Sequence, residues 1–367
     1  MSEEFDIFSD RDSTMEDAVR QFTICNACRY CEGYCPVWPE VHSGNIITRN
    51  DVLYYSNLCY DHRDCYYACP YVPDAHEFKI NIPEVTRKIR KKTYEELTFN
   101  LNSSLEKKIA LSLILVIPIM LGWIFTFNNI YSPGPISFYK LVPKYLLIAV
   151  SSILSLYLLS MLAVAGIRYR RLVIDGLDRG DRNTGVGIAG ITTLLNVLAH
   201  KWFRKIHYPG EKESNVRFGF HLLIFYGFLM DILSTTLGFI YEDILAIPSP
   251  FPFNNPAVIA GVTGGLMLTV GGLLGLVARF SSWNKQPFMT VEGFDFLLIL
   301  EFFVVALTGL LTLLFRYTAG SEEVYLMLLI HYSAIYTMYI TAPFSTNVLH
   351  IIVRLMSLNR FNNHNIP

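Results

Sequence analysis

CNACRYCEGYCP at residues 25–36 and CYDHRDCYYACP at residues 59–70 hold all seven cysteines of a 367-residue chain. The first stretch reads C-x2-C-x2-C-x3-C-P, a spacing that ligates iron-sulfur clusters through thiolates. The second repeats it at a constant offset of 34 residues, Cys25, Cys31, Cys35 and Pro36 mapping onto Cys59, Cys65, Cys69 and Pro70. One position departs, because Cys28 maps onto His62. Thiolates at i, i+3 and i+6 wrap one face of a cuboidal cluster, and a cysteine just before a proline is aimed at the partner cluster. That crossing assigns Cys25, Cys28, Cys31 and Cys69 to one site and Cys35, Cys59, Cys65 and His62 to the other. A disulfide framework fits poorly with an odd cysteine count in a long chain, and zinc usually takes two separated ligand pairs.

Composition divides the chain. Hydrophobic residues make up 52% and charged ones 17%, against roughly 25% charged in soluble domains, so a membrane protein is expected. The net charge of −1 says nothing about partners, because the charge is distributed unevenly, and no nucleic-acid motif is present. The opening MSEEFDIFSDRDSTMED is acidic and polar, unlike a signal peptide, so the cysteine-rich head is expected in the cytoplasm.

The expected organisation is a lead-in over 1–24, a dicluster domain over 25–83, a charged helical linker over 84–108, a transmembrane domain over 109–358 and a tail over 359–367. In the cluster domain Tyr30, Tyr34, Trp38, Tyr54, Tyr55, Tyr66, Tyr67 and Phe78 are expected to pack around an inorganic core. A membrane span needs about 20 apolar residues, which residues 109–127, 144–166, 218–241, 257–279, 294–315 and 324–353 supply. Pro343 is expected to kink or break the last of these. The apolar stretch 186–203 is short and ends in HKWFRK, which suits a helix at the membrane interface. Basic residues concentrate on the cytoplasmic side of membrane proteins. The segment 168–217 carries ten of them, and none lies between Glu242 and Pro256. Six spans with both termini cytoplasmic satisfy that distribution. Gly185, Gly187 and Gly190 spell G-x-G-x-x-G, but no strand precedes them, so no dinucleotide site is expected.

Ionisable residues within spans are costly and point to function. Those in this chain are His221, Asp231, Glu301, His331 and His350. At 1.5 Å per residue, His221 and His350 both fall near the cytoplasmic ends of their spans, a placement that suits two axial ligands of a b-type haem. His331 and Asp231 approach a common depth nearer the outer surface, where a quinone or proton role is expected. The glycines at 261, 264, 265, 271, 272 and 275 are expected to let helices pack closely.

The whole chain resembles the citrate or tricarballylate utilisation protein B family. The resemblance rests on CNACRYCEGYCPVWPEV, CYYACPYVPDAHEFKINIPEVTRKIRKKTYEE, HYPGEKESNVRFGFHLLIFYGFLM, EGFDFLLILEFFVVALTGLL and IHYSAIYTMYITAPFSTNVLH, and it covers roughly residues 20–360. It implies a mainly α protein, with a ferredoxin-like two-cluster head followed by a six-helix transmembrane cytochrome b-like bundle. It also implies electrons taken from a flavoprotein dehydrogenase subunit, passed through two [4Fe-4S] clusters and haem b, and delivered to the quinone pool. The last span is similar to that of the cytochrome b subunit of respiratory nitrate reductases at Pro343, Phe344, Ser345 and His350. The first of that family's two haem histidines on an earlier span matches His221, and the second falls on Asp231, so a second haem would lack that ligand.

Within redox chemistry the alternative is the membrane subunit of a heterodisulfide or sulfur-compound reductase. Outside it, the alternatives are a membrane redox sensor or a transporter, although no inverted repeat is evident. The family has cysteine where this chain has His62, which leaves three outcomes open: histidine ligation, an iron held by solvent or by Asp61 or Asp64, or a [3Fe-4S] cluster. Replacing an anionic thiolate by neutral imidazole leaves a cluster more positive, and histidine ligation raises the potential of Rieske centres. The second cluster is therefore expected to have the higher potential, and redox titration followed by EPR that found it the lower of the two would refute the assignment.

Overall fold

The structure, a computed structural model, describes residues 13–44, 46–61, 63–98, 142–177, 188–201, 212–280 and 293–365. Among these every regular element is helical and no strand occurs. The helices are α1 (Ser13–Cys28), α2 (Val37–Ser43), α3 (Arg49–Leu58), α4 (Asp64–Tyr67), α5 (Ile82–Leu97) and α6 (Lys144–Tyr169). They continue with α7 (Ile188–Leu198), α8 (Lys212–Phe239), α9 (Pro256–Phe280), α10 (Gly293–Thr318), α11 (Ser321–Thr341) and α12 (Thr346–Asn365). Two compact units result, one from residues 1–102, 160–214 and 346–367, the other from 103–159 and 215–345.

In the first unit the short helices are set by local chemistry. Thr48 caps α3, its Oγ1 accepting from the Asp51 amide at 3.2 Å while Asp51 Oδ2 accepts from the Thr48 amide at 2.9 Å, a reciprocal capping box. Asn81 caps α5 by accepting from the Glu84 amide at 3.2 Å. Pro83 sits in the first turn of α5, where a missing N–H costs no helical bond. The expectation of a linker over 84–108 is corrected for its described part. Val85, Ile89, Tyr94 and Leu97 are buried, and α5 packs on α1 and α3. The amphipathic spacing of these residues makes α5 a core helix rather than a spacer.

Among the head's aromatics, Trp38, Tyr54 and Tyr55 are buried, whereas Tyr30 is 61% exposed and Phe78 39%, so the expected packing role holds for the first three and not for the last two. The core also recruits distant segments. Tyr169 and Val173 from the α6 end and Leu349, Val353 and Leu358 from α12 join it. Hydrogen bonds fix them: Tyr169 Oη to Ser357 Oγ at 2.6 Å, Tyr54 Oη to the Ser357 carbonyl at 3.3 Å and Asn50 Nδ2 to the Gly176 carbonyl at 2.7 Å. Helix α7 lies in the same unit, packed on α12, and Asn362 Nδ2 donates to its Thr193 Oγ1 at 2.7 Å.

Among the described residues five segments are long and apolar enough to cross a membrane: Lys144–Ile174, Phe218–Ile244, Pro256–Ala278, Leu297–Thr318 and Glu322–Phe344. They correspond to five of the six expected spans. The sixth, 109–127, lies outside the described residues, as do residues 1–12, His62, Gly185 and Gly187. Apolar side chains such as Ile153, Leu156, Ile259 and Leu266 are exposed along these helices, as lipid-facing residues are. The expected span over 324–353 is corrected at its end. Pro343 offers no amide hydrogen to continue the helix, so Ala342–Phe344 form a 3-10 turn and α12 starts anew at Thr346.

In the second unit α10 packs on both α9 and α11. The glycines of α9 let its neighbours approach. A Cβ at Gly264 would collide with Asp231 Oδ1 and lie 2.8 Å from the Gly227 carbonyl, and one at Gly272 would lie 2.9 Å from Phe303 Cβ. The Lys144 and Asp243 side chains form an ion pair at 2.7 Å. Gly264→Leu is expected to cost about 1–3 kcal/mol through overpacking and to lower the melting temperature in detergent. Leu266→Ala, at a 53% exposed position, should leave it within experimental error.

Candidate functional site

The 34-residue repeat extends to the backbone. Arg29 and Arg63, equivalent by that offset, both hold left-handed φ angles, 56° and 71°. The residue three further on closes the same turn in each, with the Glu32 amide bonded to the Arg29 carbonyl at 3.1 Å and the Tyr66 amide to the Arg63 carbonyl at 2.8 Å. Each repeat thus bends the chain between its first cysteine and the later two.

The sulfurs are met by backbone amides. Cys59 Sγ accepts from the Asp61 amide at 3.4 Å and Cys69 Sγ from the Tyr71 amide at 3.3 Å. Cys35 Sγ accepts from the amides of Val37 and Trp38 at the start of α2, where Pro36 has no N–H to offer. Hydrogen bonds to sulfur are one means by which proteins set cluster potentials.

Electrostatic proximity sorts the thiols. Cys25 is affected by Cys31, Cys69 and Cys28, and Cys31 by Cys69 and Cys28. Among the thiols, Cys35 is affected most by Cys59 and less by Cys31, and Cys65 most by Cys59 and Cys35 and less by Cys31 and Cys25. Cys25, Cys28, Cys31 and Cys69 also line one recess, together with Cys65 of the second set, Trp38 and His42. Burial is the main reason that the Cys31 thiol is pushed up to about 12, with the neighbouring thiols adding to it. Burial likewise pushes Cys25, Cys35 and Cys65 well above the ordinary thiol range. Buried thiolates crowded together need positive charge between them, which iron supplies. Among the described residues no three such side chains converge on a single point as one ion would require, whereas the ligands of a cuboidal cluster stand at separate corners. The donor set and its spacing therefore fit iron-sulfur clusters.

Polar groups that the cysteine spacing does not reveal surround the second set. Arg90 Nη1 donates to the Cys59 carbonyl at 3.0 Å, buried Arg63 faces Asp61 at 3.9 Å, and the Arg354 guanidinium lies 4.1 Å from the centre of the Tyr60 ring. Of the carboxylates considered for the second cluster, Asp61 is turned to Arg63, and Asp64 is buried and close enough to affect Cys31. Only Arg63 carried a signal in the sequence, its equivalence to Arg29.

The membrane residues fall on several elements. His221 lies on α8 with its ring stacked on Phe225 at 6.3 Å. His350, expected within the last span, lies on α12 beyond it. Asp231 lies on α8 against Gly264 of α9. His331 lies on α11, where its Nδ1 is 3.0 Å from Thr308 Oγ1 and where Gly309 leaves room for its ring. No hydrogen bond joins Asp231 to His331 among the described residues. Buried Glu301 accepts from Thr341 Oγ1 at 2.7 Å, a pairing of α10 with α11 that the sequence reading did not make.

If the sets cross, each proline-preceding cysteine serves the other repeat's site. Iron and acid-labile sulfide content of double variants tests this: Cys69→Ser with Cys28→Ser should lose no more than Cys28→Ser alone, while Cys69→Ser with Cys65→Ser should lose both clusters. Loss of only one cluster in the latter would show that each repeat holds its own.

Two family models match the chain, the citrate utilization protein B Fer4-like domain over residues 18–96 and citrate utilization protein B over residues 100–365. Citrate utilization protein B of Escherichia coli is 28% identical over 339 residues, covering 89% of this chain and 86% of the relative. No solved structure shows a significant match. With the two models together spanning the ferredoxin-like head and the apolar helices, the chain belongs to the citrate utilization protein B family.

Proposed function

We propose that this protein is the membrane electron-transfer subunit of an oxidoreductase complex. It would take electrons from a partner flavoprotein dehydrogenase that oxidises a citrate- or tricarballylate-type acid and deliver them through two iron-sulfur clusters and a b-type haem to quinone. The observation that carries this reading is the grouping of thiols, with Cys69 beside Cys25, Cys28 and Cys31 and Cys35 beside Cys59 and Cys65. Two sites linked by crossing chains suit a relay. The name of the relative, a utilization protein, supports a place in the metabolism of such an acid.

Bound clusters supply one-electron transfer, and the protein's own groups hold and tune them. Amides at Asp61, Tyr71, Val37 and Trp38 meet the sulfurs. His221 and His350 are the proposed haem ligands. Asp231 and His331 are the groups proposed to serve quinone protonation, each from its own helix seam. Substrate recognition and hydride chemistry belong to the partner, since that work requires a flavin or nicotinamide site.

Charge and the grouping of segments support a cytoplasmic head. The described parts of the head, residues 170–177 after α6 and helix α12 all fall in one compact unit, as they would if all three occupied the cytoplasmic side of the cell membrane. A pyridine haemochrome assay on purified protein is expected to find haem b, and to find it lost in His221→Ala and His350→Ala while iron and sulfide content is kept. Haem-free wild-type protein would overturn the relay to quinone.

A further inference from the structure

Arg354 is placed on α12 one turn beyond His350, within the same unit as the cysteines. Its guanidinium carbon stands 4.1 Å from the centre of the Tyr60 ring, and its side chain hydrogen-bonds Tyr60. Tyr60 directly follows Cys59 and lies close enough to Cys35 to be affected by it. A ring carrying a cation therefore directly follows Cys59 and stands within electrostatic reach of Cys35.

The two other arginines nearby are engaged differently. Arg90 spends an N–H on the Cys59 carbonyl, and Arg63 faces the Asp61 carboxylate. Arg354 has no carboxylate partner among the described residues, and its buried Nε has no hydrogen-bond acceptor among them. A buried cationic N–H without an acceptor is costly, whereas an anionic centre beside it offsets the cost. A thiolate-ligated cluster is such a centre, and its negative charge rises by one on reduction.

We propose that Arg354, seated on Tyr60, is a positioning residue that raises the reduction potential of the second cluster relative to the first. One electron arrives, no bond breaks and no proton moves. The reduced cluster is one unit more negative, and the fixed guanidinium stabilises it more than the oxidised one. The result makes the second cluster the favoured acceptor, on the side of α12, the helix that also carries His350. This inference rests on the proposed function and adds to it the residue that biases the direction of transfer.

The test is redox titration of the full-length, detergent-solubilised protein with both clusters followed by EPR, for wild type, Arg354→Gln, Arg354→Lys and Tyr60→Leu. Arg354→Gln and Tyr60→Leu are expected to shift the electron equilibrium between the clusters about tenfold toward the first, about 59 mV for one electron, with the first cluster's own potential unchanged. Arg354→Lys, which keeps the charge, should remain within about threefold of wild type. An Arg354→Gln protein within twofold of wild type, or one in which both clusters move equally, overturns the inference while leaving the relay intact. Wild-type protein without iron and acid-labile sulfide would overturn the proposed function and the inference together.

Discussion

The hydroxyl pair of Tyr169 and Ser357, at 2.6 Å in a fully buried setting, marks the constraint on which the cysteine-bearing unit depends. A module of about 60 residues buries too little surface to be more than marginally stable alone, and this one lacks strands among its described residues. Its core is completed by the end of α6 and one face of α12, which bring Tyr169, Leu349, Val353 and Leu358 into the cluster that holds Tyr54 and Tyr55. Leaving the Tyr169 hydroxyl without a partner at this depth would cost about 1–3 kcal/mol, so the pair specifies how distant segments meet.

That closure has an electrostatic consequence. Because α12 belongs to the core, Arg354, from the far end of the chain, reaches Tyr60, the residue after Cys59. The recess of the first set is lined by Trp38 and His42 and also by Cys65. His62 already makes the repeats unequal in sequence, and the surroundings make them unequal a second time.

The membrane helices obey a different rule. Lipid supplies no hydrophobic force between helices, so packing depends on close approach. Gly264 and Gly272 provide it on two faces of α9, and Gly309 opens α10 to the His331 ring. Polar groups are satisfied by helix neighbours, Glu301 by Thr341 and His331 by Thr308.

The sequence by itself determined the features that are local or periodic. The cysteine repeat, the apolar lengths of five described spans and the break at Pro343 are all of this kind, because ligand spacing, bilayer thickness and a missing amide hydrogen act over a few residues to a few turns. The conversion of residues 82–97 from linker to core helix was partly legible in the spacing of Val85, Ile89 and Leu97, although the dense charge on the opposite face obscured it. Only the tertiary structure decided that α12 is part of the head's core, that Arg354 meets Tyr60 across nearly 300 residues of chain, and that His331 pairs with Thr308 rather than Asp231. Those pairings follow from which helices pack together, and packing partners are selected by the fit of whole surfaces, which no short stretch of sequence records.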